Sequence, residues 1–216
     1  MAIDVTLPDG SSRSLEEGAT AGDLAAAIGR GLAKAAVVAE INGEERELTT
    51  PLHDGDAVAI VTDTTDEGRY VIRHSTAHVL AQAVLDLFPG ATFGIGPPVE
   101  DGFYYDFELP DGATFGADDL ARIEARMRDL AAEDQRVERE ELSIDDGLAL
   151  FADQPYKQEI IRRVGGAGDA AEGVGDTALS VYRNLRADGG VAYVDLCQGP
   201  HVPSTAKLGP FRLTKV

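Results

Sequence analysis

The sequence predicts an α+β protein in two parts: a small sheet packed on one helix over residues 1–62, and a larger domain of antiparallel sheet and packed helices over 63–216. Three observations carry that prediction. Short alternating apolar runs separated by the turn signals Pro8-Asp9-Gly10, Asn42-Gly43 and Asp54-Gly55 fill the first part. The polar stretch from Asp63 to Arg69 reads as a linker. Beyond it, long helical periodicities alternate with strand-like runs, and 216 residues with 44% hydrophobic content suffice for two modest cores.

Ile3, Val5 and Leu7 alternate, and with a second short strand ending near Leu15 they form a hairpin. Thr20 followed by Asp23 is an N-terminal capping pattern, and Leu24, Ala27 and Ile28 continue it as one short helix that Gly29 and Gly31 should end. Strands at Val37–Ile41, up to Leu48, and at Ala57–Val61 complete the order ββαβββ of a small β-grasp sheet. A helix over Val71–Phe88 stops at Pro89-Gly90 and carries His74, His78, Gln82 and Leu85 on one face. Gly102 to Phe107 reads as an aromatic strand pairing across the Asp111-Gly112 region. Leu120, Ile123, Met127 and Leu130 define an amphipathic helix over 118–134. A strand at Val137–Leu142, a Ser143-capped helix to Phe151 and a helix over Tyr156–Val164 follow. Gly165 to Gly175, with five glycines, is expected to be a loop, and the last strands are placed at Leu179–Leu185, Val191–Cys197 and Phe211–Val216.

The net charge of −19 opposes binding of a polyanion through a general field. A local basic surface built from Arg122, Arg126, Arg128, Arg162, Arg163, Arg183, Arg186 and Arg212 is the alternative. The first 62 residues, with 4 basic against 11 acidic side chains, are a poor anchor for nucleic acid. The N-terminus lacks a basic flank and an apolar core, and no apolar run approaches the roughly 18 residues of a bilayer span. A cytoplasmic protein with no membrane partner is expected. The single cysteine precludes an internal disulfide and suits a reducing compartment.

Three of the four histidines and the only cysteine fall in two motifs of matching spacing, His74-Ser-Thr-Ala-His78 and Cys197-Gln-Gly-Pro-His201. His and Cys carry most proton transfer, nucleophilic attack and transition-metal ligation near neutral pH, so their grouping points to one assembled site. Period-two alternation turns Tyr193, Asp195 and Cys197 to one face of their strand, and Gln198-Gly199-Pro200 brings His201 back by a turn. Each piece also has a plain structural reading: solvated imidazoles on a helix, a buried small cysteine, a surface Lys157, and His53 in a turn. Three imidazoles and a thiolate also make an acceptable tetrahedral zinc set, closer to a structural than a catalytic site if all four bind. The protease motif His-Glu-x-x-His is ruled out, because Ser75 stands where its glutamate would be.

Three segments resemble the N-terminal half of bacterial-type threonyl-tRNA synthetases, a TGS domain followed by a tRNA-editing domain. They are Arg73-His-Ser-Thr-Ala-His-Val-Leu-Ala-Gln-Ala83, Gly96-Pro-Pro-Val-Glu-Asp-Gly-Phe-Tyr-Tyr-Asp106 and Tyr193-Val-Asp-Leu-Cys-Gln-Gly-Pro-His-Val-Pro203. The resemblance implies a TGS domain over 1–62 and an editing domain over 63–216 that hydrolyses mischarged seryl-tRNA(Thr) and spares threonyl-tRNA(Thr). It implies as partners the 3′-terminal aminoacyl-adenosine of tRNA(Thr) and the remainder of the synthetase, and editing without a cofactor.

The same resemblance implies roles for particular residues. His74 is the candidate base, and Lys157 positions water, contacts the serine hydroxyl or stabilises developing charge. Asp195 meets the substrate α-ammonium. His78, Cys197 and His201 orient ribose hydroxyls and water, with Cys197 a polar wall and not a covalent nucleophile. Tyr104 and Tyr105 shape the pocket or stack on the terminal adenine, a buried strand aromatic being the plainer reading of one of them. The chain ends before any class II aminoacylation motif, so it is not expected to charge tRNA by itself. Two readings stay open beside this one. The first and third segments also resemble the alanyl-tRNA synthetase editing domain, where a similar set holds zinc. A non-catalytic binding protein joining a TGS module to a structural zinc domain is the other.

Overall fold

The structure, a computed structural model, describes residues 1–166 and 178–215. They divide into two compact units, Met1–Ile72 with Pro200–Pro203, and Arg73–Gly199 with Ser204–Val216. The mixture of helices and antiparallel sheets is α+β, as the sequence predicts.

In the first unit, β1 (Ala2–Thr6) and β2 (Ser12–Glu16) pair antiparallel with Ile3 opposite Leu15. Thr20 and Asp23 form the reciprocal capping box that starts α1 (Ala21–Ile28). Gly29 ends α1 but does not end the helical segment, because α2 (Arg30–Ala35) begins immediately after it. Glycine lowers helix propensity by about 1 kcal/mol, a penalty one more short turn tolerates. β3 (Ala36–Ile41) is the centre of a sheet with β4 (Glu44–Glu47) and β5 (Val58–Thr62). Asn42 and Gly43 adopt the positive φ values of 54° and 85° that a tight hairpin turn demands. A parallel bridge from Thr6 to Ala57 joins the hairpin to this sheet, and Val5, Leu24, Ile41, Leu52 and Val58 fill the core.

The long helix α3 (Asp66–Leu87) starts five residues earlier than its apolar pattern suggests. Thr65 explains the difference: its hydroxyl accepts the Gly68 N–H at 3.1 Å, and Asp66 and Glu67 occupy the first turn, where the helix dipole favours acids. The segment that reads as a linker is therefore partly a capped first turn. From Ser75 to Val84 the helix is buried on every side and not along a single face.

The aromatic segment is two short strands instead of one. β6 (Thr92–Phe93) pairs with β9 (Phe107–Glu108), and β7 (Pro98–Val99) pairs with β8 (Gly102–Phe103). Both pair upstream and not across Asp111-Gly112, which lies in a 3₁₀ turn opened by Pro110. Pro97 and Pro98 supply no N–H, so the ladder cannot run unbroken. Tyr104 to Asp106 falls in the gap, tied by Gly94 N–H to Asp106 O at 2.9 Å and Asp106 N–H to Ile95 O at 3.0 Å.

Helix α4 (Ala117–Ala132) buries Ile123, Met127 and Leu130. β10 (Arg136–Leu142) leads to α5 (Ile144–Leu150), capped by Ser143, and then to α6 (Pro155–Gly166). The glycine-rich loop expected over 165–175 lies outside the described residues from position 167 onward. β11 (Leu179–Leu185) is the central strand of a β10-β11-β12 antiparallel sheet, with Tyr182 opposite Asp195 on β12 (Val191–Leu196). The strand expected at Phe211–Val216 is absent among the described residues. There the Leu213 N–H goes to the Glu124 carboxylate at 2.7 Å, while Phe211 and Leu213 pack on the core.

Candidate active site

Helical spacing stacks His74 and His78 one turn apart, with ring centroids 5.3 Å apart and planes at 86°. On β12, alternation turns Tyr193 and Asp195 inward, both buried. Cys197 follows directly, held by its N–H to Ser180 O at 3.1 Å and by the Ser180 hydroxyl on its own carbonyl at 2.6 Å. Its Sγ lies 3.2 Å from His74 Nε2 and 3.4 Å from the Gly199 N–H nitrogen.

Lys157 projects from α6 into the interior with 2% exposure, and its Nζ lies 2.6 Å from Asp195 Oδ1. The alignment of this ion pair leaves Oδ1 without a conventional hydrogen bond. The same ammonium donates to the Tyr105 hydroxyl at 3.1 Å, and the Phe93 ring lies below it at 4.8 Å. Asp195 Oδ2 accepts from Tyr105 at 2.5 Å and from Tyr193 at 3.0 Å, while His78 Nε2 stays 3.6 Å away. Gly96 is required for this packing, because a Cβ there would fall 2.1 Å from the Tyr105 ring.

Burial raises the carboxyl of Asp195, but the Lys157 charge, then His78 and the donated hydrogen bonds, outweigh it and keep Asp195 below its ordinary range. Burial, and next the Asp195 charge, push the Tyr105 and Tyr193 phenols well above theirs, so both remain donors. Burial lowers His74 to about 4 and His78 to about 3, against a partial opposing pull from Asp195. At neutral pH the cluster holds a buried ion pair beside two uncharged imidazoles.

These depressed values carry a stability consequence. Below pH 6.5 the unfolded chain takes up two protons that the folded chain refuses until about pH 4 and below, so stability drains as pH falls through that window. Asp195, with a lowered value, loses its contribution only below its unfolded value of 3.8. The expected loss between pH 7 and pH 5 is on the order of 3 kcal/mol. Urea unfolding at both pH values measures it, and coincident curves would mean that the imidazoles are not buried in neutral form.

The structure thus brings together His74, His78, Lys157, Asp195, Cys197 and Tyr105. His201 is buried, and within the second unit the ligating atoms of His74, His78 and Cys197 lie within 4.8 Å of one another. Neutral imidazoles and a thiol at such separations fit a transition metal such as zinc. Tyr104 is 44% exposed and makes none of these contacts. Sequence reasoning gives no site role to Tyr193 or Phe93, both of which join the cluster. Strand alternation places Tyr193 on the face of Asp195 and Cys197, but without a role in the site, and nothing local marks Phe93. His53 sits in a turn with its side chain largely exposed.

Half of the expected arginine surface is neutralised by ion pairs. Arg122, Arg126, Arg128 and Arg183 each pair with a carboxylate, Arg126 reaching both Asp86 and Glu133. Among the described residues, no helix is long and apolar enough to cross a membrane.

Comparison with known proteins extends the geometry. The family model of the TGS domain matches residues 3–62, and that of the threonyl and alanyl tRNA synthetase second additional domain matches residues 179–216. The chain is similar to the threonine–tRNA ligase of Thermobifida fusca, 46% identical over 211 residues, covering 95% of the chain and 31% of the relative. The ligase of Acidithiobacillus ferrooxidans is 48% identical over 215 residues, covering 99% and 31% respectively. The chain therefore spans about a third of the length of the curated relatives it matches.

Proposed function

The chain belongs to the threonyl-tRNA synthetase family, matching its N-terminal region, and on that premise we propose that it is a proofreading module that hydrolyses seryl-tRNA(Thr) and spares threonyl-tRNA(Thr). Serine differs from threonine by one missing methyl, worth roughly 1 to 3 kcal/mol of discrimination, which is too little for accurate translation. A second site that threonine's extra methyl cannot enter correctly removes the error. In this reading the residues up to 62 are the TGS domain and those from 63 are the editing domain.

The observation that carries the reading is the buried Lys157–Asp195 pair beside two neutral imidazoles. Water attacks the carbonyl carbon of the ester, and His74 accepts its proton as the C–O bond to water forms. The carbonyl oxygen gains negative charge, which the Lys157 ammonium faces in a dry site where such an interaction is strong. The bond to the ribose oxygen then breaks, that oxygen takes the proton from His74, and serine leaves. An aminoacyl ester is activated, so a base as weak as His74 suffices. Asp195 anchors Lys157 and presents charge to the substrate α-ammonium, while His78, Cys197 and His201 orient ribose hydroxyls and water, and Tyr105 holds the ion pair.

Single-turnover deacylation tests this. The chain should release serine from seryl-tRNA(Thr) and leave threonyl-tRNA(Thr) intact, and His74→Ala or Lys157→Ala should slow release by about 100-fold or more. Equal release of both amino acids, or indifference to both substitutions, would sink the proposal. The clustered His and Cys donors favour a second reading, metal-dependent deacylation of the alanyl type. Stoichiometric zinc whose removal by a chelator abolishes release would decide for it, and chelator-resistant release would decide against it. If zinc removal unfolds a chain that never deacylates, the non-catalytic binding protein takes precedence.

A further inference from the structure

We propose that Tyr193 is a positioning residue of the deacylation site, acting through Asp195 to hold Lys157 where the reaction needs it. The inference rests on the proofreading reading above. A carboxylate oxygen offers two in-plane lone pairs, and on Asp195 Oδ2 the hydroxyls of Tyr105 and Tyr193 occupy both, at 2.5 and 3.0 Å. Two consequences follow from that saturation. Oδ1 is turned toward Lys157 Nζ at 2.6 Å, and His78 Nε2 stays at 3.6 Å, outside hydrogen-bond distance of Oδ2.

The two phenols are not equivalent. Tyr105 also accepts from Lys157 at 3.1 Å, so it touches both members of the ion pair. The Tyr193 hydroxyl donates to Asp195, and its ring packs edge-on against His78 at 5.9 Å and at a tilt of 42° against Phe93 at 6.0 Å. Tyr193 is 5% exposed, too deep for its hydroxyl to serve as a surface contact. Removing the hydroxyl keeps the ring packing but frees one lone pair of Oδ2. With one of its two anchors gone, Oδ2 no longer fixes the carboxylate plane, and Oδ1 is no longer held toward Lys157 Nζ.

The test is Tyr193→Phe in this chain, with seryl-tRNA(Thr) under single-turnover conditions and the chain in excess. Positioning predicts a maximal rate reduced roughly tenfold with the half-saturating chain concentration unchanged, because every folded molecule binds but holds Lys157 poorly. A merely structural role predicts the opposite, because a partly unfolded population raises the half-saturating concentration and leaves the maximal rate intact. That outcome, or a rate within twofold of the parent, overturns the proposal. Should the parent chain itself release no serine, the proofreading reading fails, and crystal structures of parent and Tyr193→Phe then decide the positioning claim separately. An Asp195 carboxylate whose Oδ1 has turned away from Lys157 Nζ in the variant supports it, and an unmoved one overturns it.

Discussion

Lys157→Ala should cost about 3 to 5 kcal/mol of stability, because it leaves Asp195 as an uncompensated charge at 1% exposure. The Ala variant also vacates the volume of a long side chain lying over the Phe93 ring. Much of the loss comes from the stranded carboxylate and not from the missing attraction, since two charges brought out of water recover little more than their desolvation cost. The double variant Lys157→Met with Asp195→Asn, whose amide oxygen can still accept from Tyr105 and Tyr193, should therefore regain much of the stability while remaining inactive in deacylation. Urea unfolding of the single and double variants separates the two effects. A single-variant loss below about 1 kcal/mol would mean that water reaches the pair, and an active double variant would remove both residues from the chemistry.

Gly199→Ala is expected to cost about 2 to 4 kcal/mol and to depress deacylation. Two independent causes add. Gly199 has φ of +74°, where a side chain costs roughly 1 to 2 kcal/mol, and a Cβ there would fall 1.8 Å from the Tyr182 hydroxyl oxygen. Tyr182 is buried in β11 at 1% exposure and cannot swing aside, so the loop must move instead. That loop also aims the Gly199 N–H at Cys197 Sγ, 3.2 Å from His74. In a Tyr182→Phe background the closest overlapping atom is gone, but the ring Cζ at 2.4 Å remains, so the penalty should shrink only in part and stay above the φ cost alone. Thermal melts of the four chains measure this, and an unaltered melting temperature for Gly199→Ala would show that the turn is not held in place.

Local pattern accounts for most of the fold and for part of the site. The Thr20–Asp23 capping box, the Asn42-Gly43 turn, the Ser143 cap and the stacking of His74 over His78 depend on residues within four positions of one another, and sequence spacing expresses them directly. The Thr65 cap has the same local character but was hidden by the polar residues around it, which suit a linker and a first helical turn equally well. The split of the aromatic segment into β8 and β9 depends on the upstream prolines that interrupt the ladder, and the 211–215 stretch on which chain segments offer it backbone partners, so propensity alone misplaces both.

By itself the sequence determined the two-part α+β organisation, the helix and strand that carry the histidines, Asp195 and Cys197, and the resemblance that names the family. Only the tertiary structure decided that Lys157 pairs with Asp195, that Tyr105 and Tyr193 share one oxygen of that carboxylate, and that Phe93 lies beneath the ammonium. The reason is physical. Periodicity and capping are set along the chain, whereas the partner of a buried charge is set by which elements pack together in the interior, where burial makes each such partner consequential.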